Sequence, residues 1–244
     1  MSFLSLPGEL RNTIYEIILL QSEPIDPWLR YGLQVTTGLF YVSKTVHREA
    51  SLLFYSQNRF DFGGRDPEKL ASFLKQIGPR NANSIQHIVI DFPEFLYLDP
   101  GDVTIEEESL GILGSIVSSC TGLITLRTSL YSTSSMELRL DNLDHYNLAT
   151  EALHLVDTHF RAMPSLLEII LEVYEDGPSD CLRKRMESYG WILSKNTAEE
   201  EEFWDSRFSD LDFGFDFDGY GYDYDDDDDY DIDNDSDFWR RAAD

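Results

Sequence analysis

The chain has 244 residues, 42% of them hydrophobic, which suits one sizeable core or two small ones. Its 19 basic and 46 acidic side chains give a net charge of −27. Residues 199–244 hold 20 acidic and 3 basic groups, net −17, leaving 26 acidic and 16 basic groups, net −10, in the preceding body. That balance excludes nucleic acid and anionic membranes as favoured partners, because such affinity rests on Lys and Arg displacing counterions, and it points instead to basic proteins.

Residues 6–20 read as an amphipathic helix. Pro7 suits the first helical position, where a missing N–H costs nothing, and Glu9 lies in the first turn, where the helix dipole favours negative charge. Leu10, Ile14, Ile17 and Ile18 form a stripe at helical spacing, and Pro24 and Pro27 stop the helix. Residues 39–57 read as a second helical unit whose apolar face is Val42, Val46, Ala50, Leu53 and Phe54. Asn58 is its expected C-terminal cap, before a short strand over Arg59–Phe62.

The middle of the chain holds an irregular repeat. Ile85, Ile88, Ile90 and Phe92 share their spacing with Leu123, Leu126, Thr128 and Leu130, and with Leu166, Ile169, Leu171 and Val173. The starts lie 38 and 43 residues apart. A helix candidate precedes each segment. The first carries Leu70, Phe73, Leu74 and Ile77, and the second Leu110, Leu113, Val117 and Cys120. The third carries Leu148, Ala152, Leu155, Val156 and Phe160. Gly78-Pro79, Gly122 and Pro164 separate helix from strand. Three helix–strand units predict an α/β solenoid-like body, with parallel strands and helices over one face. The alternate strand positions are His87, Val89 and Asp91, then Thr125, Arg127 and Ser129, then Glu168, Ile170 and Glu172. They are mostly polar, so that face is expected to meet solvent or a protein partner. A last helix is expected over residues 181–195, with Leu182, Met186, Tyr189 and Leu193 closing the open end.

From about Ala198 the sequence becomes low-complexity, rich in Asp, Gly and aromatic residues. Self-repulsion among its carboxylates predicts a disordered acidic tail. Acidic–aromatic alternation such as Phe213, Phe215, Phe217, Tyr220, Tyr222 and Tyr224 allows either a solubilising appendage or a segment captured by a partner. The expected organisation is therefore 1–62, 63–197 and 198–244.

The opening Leu6, Pro7, Glu9, Leu10, Arg11, Ile14 and Tyr15 resembles the F-box signature, in the form common to fungal F-box-like proteins. Residues 41–60 and 73–92 are similar to segments that follow it in that group. The resemblance covers roughly residues 3–92 and fades through 175. It implies a substrate receptor that docks a helical module on the adaptor of a cullin-type ubiquitin ligase and presents a protein substrate on a leucine-rich-repeat-like body. On that analogy Leu6, Pro7, Leu10, Ile14 and Val42 serve the adaptor-docking surface or the core beneath it. The partner-binding candidates on the strand face are His87, Asp91, Arg127, Glu168 and Glu172. Residues 21–38 depart from the family pattern, since they are broken by proline and lack a middle helix.

Catalytic and metal sites are not expected. His154 and His159 are five apart and diverge on a helix, unlike an i, i+4 metal pair, and His159 reads as a core residue. No HExxH, P-loop, GxSxG or dinucleotide fingerprint occurs. Glu106–Glu108 suits a helix start. Asp231, Asp233 and Asp235 fit the first positions of a calcium loop, but Ser236 and Ala242 stand where Gly and Glu are needed. Cys120 and Cys181 form neither a CxxC pair nor a disulfide framework. With no signal-peptide pattern and no run near the roughly 20 apolar residues of a membrane span, the expected setting is cytoplasmic or nuclear, and no cofactor is expected. The expected function is thus a non-catalytic interaction protein. The alternative is a scaffold, or an acidic chaperone-like binder of basic proteins, with no ligase role.

Overall fold

The computed structural model describes residues 3–29, 37–143, 146–174 and 177–195; the expected tail and its calcium-loop fragment lie outside them. Seven α-helices and seven strands occur among these residues. The first helix, α1, spans Gly8–Leu19, one residue later than the sequence suggests: Pro7 is its N-cap, and the Pro7 carbonyl accepts from the Leu10 and Arg11 N–H groups. A short 3₁₀ turn, Thr37–Tyr41, leads to α2, Lys44–Gln57, whose first turn is capped by the Ser43 hydroxyl accepting from Val46 N–H. Val42 thus lies outside the helix and is 59% exposed, whereas Val46, Ala50, Leu53 and Phe54 are buried as expected.

The stripe on α1 is split: Ile18 packs against the core and Ile14 is half-buried, but Leu10 and Ile17 face outward. Leu10 is 52% and Ile17 77% exposed, while Tyr15 and Leu19 are buried completely. Helical spacing identifies apolar rows, but docking of α1 is decided by the row Arg11, Tyr15 and Leu19, which carries both a large ring and the groups that meet α2.

Asn58 caps α2 and more. Its Nδ2 donates to the carbonyls of Phe54 and Leu19, each at 3.0 Å, and its Oδ1 accepts from Gln21 N–H at 2.8 Å. One buried amide therefore satisfies the ends of both helices. The strand β1, Arg59–Asp61, follows at once. Although residues 21–29 form no helix, Ile25 makes a parallel bridge to Phe60, exchanging backbone bonds with Arg59 and Asp61.

Beyond β1 come α3 (Pro67–Ser84), β2 (His87–Ile90) and a hairpin, β3 (Phe95–Asp99) with β4 (Asp102–Ile105). Then follow α4 (Glu107–Ser119), β5 (Thr125–Thr128), α5 (Leu130–Asp141) and α6 (Tyr146–Arg161). The chain closes with β6 (Glu168–Val173), α7 (Asp180–Ser188) and β7 (Ile192–Lys195). The main sheet has five parallel strands in the order β1-β2-β5-β6-β7, which is chain order.

The three repeated segments are the three central strands, and their matching positions lie side by side. Ile88, Leu126 and Ile169 form one row, and Ile90, Thr128 and Leu171 the next. The turns entering them match too: Ile85 N–H donates to Ala82, Leu123 to Cys120 and Leu166 to Met163. Apolar side chains from Tyr15 to Trp191 make one continuous cluster, crossing residue 62 through Phe60, Phe62 and Phe73.

Four details correct the sequence reading. Gly78-Pro79 breaks the helix as expected but does not lead straight to the strand: Gly78 at φ +80 interrupts α3, and a second helical segment runs on to Ser84. The β3–β4 hairpin, turned by Pro100 and Gly101 at φ +85, was not anticipated, and neither was α5. The final helix stops at Ser188, Gly190 reverses the chain at φ +79, and Leu193 sits in an edge strand rather than a helix.

Two substitutions test this packing. A Cβ at Gly122 would lie 2.3 Å from the Asn83 carbonyl oxygen, so Gly122→Ala is expected to cost about 1–3 kcal/mol in urea denaturation. Asn58→Ala strands the Leu19 carbonyl and the Gln21 N–H at the joint of α1 and α2, while Phe54 keeps the backbone bond from residue 58, and is expected to cost about 2–4 kcal/mol.

Candidate partner-binding surfaces

The N-terminal helices are held together by charge as well as apolar packing. Arg11 grips Glu49 with two bonds, Nε to Oε2 at 2.9 Å and Nη2 to Oε1 at 2.6 Å. Tyr15 Oη donates to the same Oε2 at 3.0 Å, and Arg11 Nη1 donates to the Leu6 carbonyl at 2.7 Å. The planar guanidinium fork matches a carboxylate in both shape and charge. Arg11 holds the Glu49 carboxyl below its usual range, with burial opposing and Tyr15 assisting. Burial, then the neighbouring Glu49, pushes the Tyr15 phenol up to about 12. Sequence reading singled out Arg11 and Tyr15 only as motif letters and passed over Glu49. A carboxylate set among Val46, Ala50 and Leu53 was the available signal.

With Arg11 and Tyr15 turned inward, the adaptor-docking candidates sit at the surface. Pro7, Leu10 and Val42 are exposed, and Leu6 and Ile14 are half-buried. Leu10, Ile14 and Ile17 recur at i, i+4 and i+7 and make one apolar row along α1. Leu4 at 44% and Tyr41 at 53% add further exposed apolar surface in the flanking turns.

The strand-face candidates also share one side of the sheet. Arg59, His87, Thr125 and Glu168 form one row across it. Burial lowers the His87 pKa, with Glu168 opposing and Arg59 assisting. Beyond that row several polar groups are engaged internally. Arg127 pairs with Glu172 at 2.8 Å, and the second Glu172 oxygen accepts from Leu130 N–H at the start of α5. Asp91 accepts from Gly64 N–H and from the Ser129 hydroxyl. Asp91 and Glu168 are the exposed candidates, the latter receiving a 3.3 Å bond from Thr125, and His87 is half-buried with no such bond to an acid among the described residues. Val89, on the same face, is 5% exposed, so this surface is partly covered.

Other candidates occupy structural positions. Glu106 stands at the N-cap of α4 with no capping bond from its side chain, and Glu107 and Glu108 fill the first turn. Burial pushes the Cys120 thiol up to about 12, the wrong direction for a nucleophile. His154 is exposed and stacks on Tyr189, and His159 is half-buried. Among the described residues no group of three or more His, Cys, Asp or Glu side chains is placed to hold a metal ion, and no helix is long and apolar enough to cross a membrane.

One carboxyl is out of balance. Glu137 on α5 is 8% exposed and its Oε1 has no partner. Desolvation, with Asp141 adding and Arg183 opposing, pushes it up to about 7. An unfolded glutamate titrates near 4.3, so between these values the folded chain holds the extra proton, and stability falls as pH rises through about 7. Glu137→Gln is expected to match the parent in urea midpoint at acid pH and to exceed it at pH well above neutral. A constant difference across that range would refute the assignment.

No protein-family model, curated protein or solved structure matches the chain.

Proposed function

We propose that the protein is a non-catalytic, F-box-like substrate receptor. Residues 1–62 would dock on a cullin-ligase adaptor, and the following leucine-rich-repeat-like body would hold a protein substrate. The observation that carries this reading is the outward apolar row Leu10, Ile14 and Ile17 on a helix whose other face is locked by the Arg11–Glu49 pair. A helix that leaves Leu10 and Ile17 in water, with Ile14 half-buried between them, while burying a tyrosine has a surface suited to a second subunit. The strands in chain order, with repeat positions in register, support the repeat-like body. The acidic segment after residue 198 supports the second reading, a scaffold or chaperone-like binder of basic proteins, through its net −17.

Leu10 and Ile17 are exposed, so Leu10→Asp and Ile17→Asp leave the core intact. Each is expected to weaken adaptor binding by full-length protein roughly tenfold or more, since burying one such side chain contributes about 1.5–3 kcal/mol. Calorimetric titration with purified adaptor reads this out. Parent protein that does not bind at all rejects the ligase reading. Binding of histone-like basic proteins that collapses with added salt would then favour the scaffold.

A further inference from the structure

A concave site with a charge opposite to that of the whole chain lies between α2 and α3. Its volume is about 220 Å³, and it is lined by Lys44, His47, Arg48, Ser51 and Leu52 with Arg80, Asn81 and Ser84. Lys44, His47, Arg48 and Ser51 fall at i, i+3, i+4 and i+7, one face of α2. Arg80 and Ser84 come from the helical segment after the Gly78 kink. No carboxylate lines the site, although the chain carries 46 acidic residues against 19 basic. None of Lys44, Arg48 and Arg80 forms an ion pair among the described residues.

A second observation points to a ligand. Ser51 is 4% exposed and its hydroxyl has no hydrogen-bond partner. A buried hydroxyl is normally satisfied. One that lines a cleft ringed by cations would be completed by an anionic acceptor within reach of Lys44, Arg48 and Arg80.

We propose that this cleft binds the aspartate-rich segment 223–231 of the same chain. Seven of those nine residues are Asp. The described chain ends at Lys195 in β7, on one edge of the sheet, and α2 runs directly into β1 at the other. Four strand spacings of about 4.8 Å separate these edges. The 27 residues from 196 to 222 can extend over roughly 90 Å, so the tether reaches with much slack. A tether also places the segment at an effective concentration that free acidic peptides must exceed. Occupied in this way, the cleft holds carboxylates that would otherwise meet a basic partner, so the two compete. The cleft lies on α2 and α3, apart from the α1 row that carries the adaptor-docking reading, and its test uses no adaptor.

Carbodiimide coupling of full-length protein at low salt tests it, because the reagent joins a lysine amine to a carboxylate only in contact. In the monomer fraction, Lys44 is expected to couple to residues 223–231 far more than the exposed Lys75 or Lys184 does. Replacing the exposed pair Arg48→Ser and Arg80→Ser is expected to reduce that yield to the Lys75 background. Ser51→Ala is expected to lower the yield with little change in thermal unfolding. Equal yields at Lys44 and Lys75, yields indifferent to these replacements, or coupling confined to dimers would overturn the proposal.

Discussion

The buried amide of Asn58 is the joint on which the remaining architecture turns. Two helix C-termini converge on it: the Leu19 carbonyl and the Gln21 N–H at the end of α1 are satisfied by the side chain, and the Phe54 carbonyl of α2 takes a bond from it beside the one from the Asn58 backbone. Satisfying both with one side chain fixes where α1 ends relative to α2, and so where β1 begins. Since β1 sets the edge against which β2 pairs, the first strand of the parallel sheet inherits its position from this contact. The Arg11–Glu49–Tyr15 cluster does the complementary task of fixing how α1 is rotated about its own axis.

That rotation separates two kinds of information in the sequence. The repeat was legible because its positions are buried on one face of short strands, and a shift of one residue would bring mostly polar side chains to that face. Ile85, Ile88, Ile90 and Phe92, like their counterparts, are all nearly inaccessible. The facing of α1 was not legible, because both of its candidate rows are apolar enough to be buried. A polar partner some 35 residues distant, Glu49, decided between them, and periodicity carries no sign of such a partner. The same limit hid the β3–β4 hairpin and α5. They sit inside crossovers, where helix-versus-strand patterning is short and tertiary packing prevails. Gly78-Pro79 misled for a different reason: a proline that breaks one helix is also well suited to start the next.

Of the residues named as candidates, those on α1 gained most from the structure, because it separates surface from core where the sequence could not. Those on the strand face lost some independence. Arg127 and Glu172 neutralise one another and tie β5 to β6 and α5, so this pair rigidifies the sheet as well as decorating it. The basic cleft had no signature at all in the linear chain. Its cations belong to two helices, and only the approach of α2 to α3 collects them.

Strands laid down in chain order have a consequence for how such a molecule can change. Each strand touches only the ones before and after it, so ladder register is settled locally at the entering turn. The link from β2 to β5 carries a hairpin and a helix, and that from β5 to β6 carries two helices, yet the rows of the sheet remain aligned. The architecture therefore tolerates crossovers of unequal length and content, which can be enlarged or remodelled without disturbing the ladder. New surfaces can be acquired on that side of the molecule while the stack of strands stays as it is.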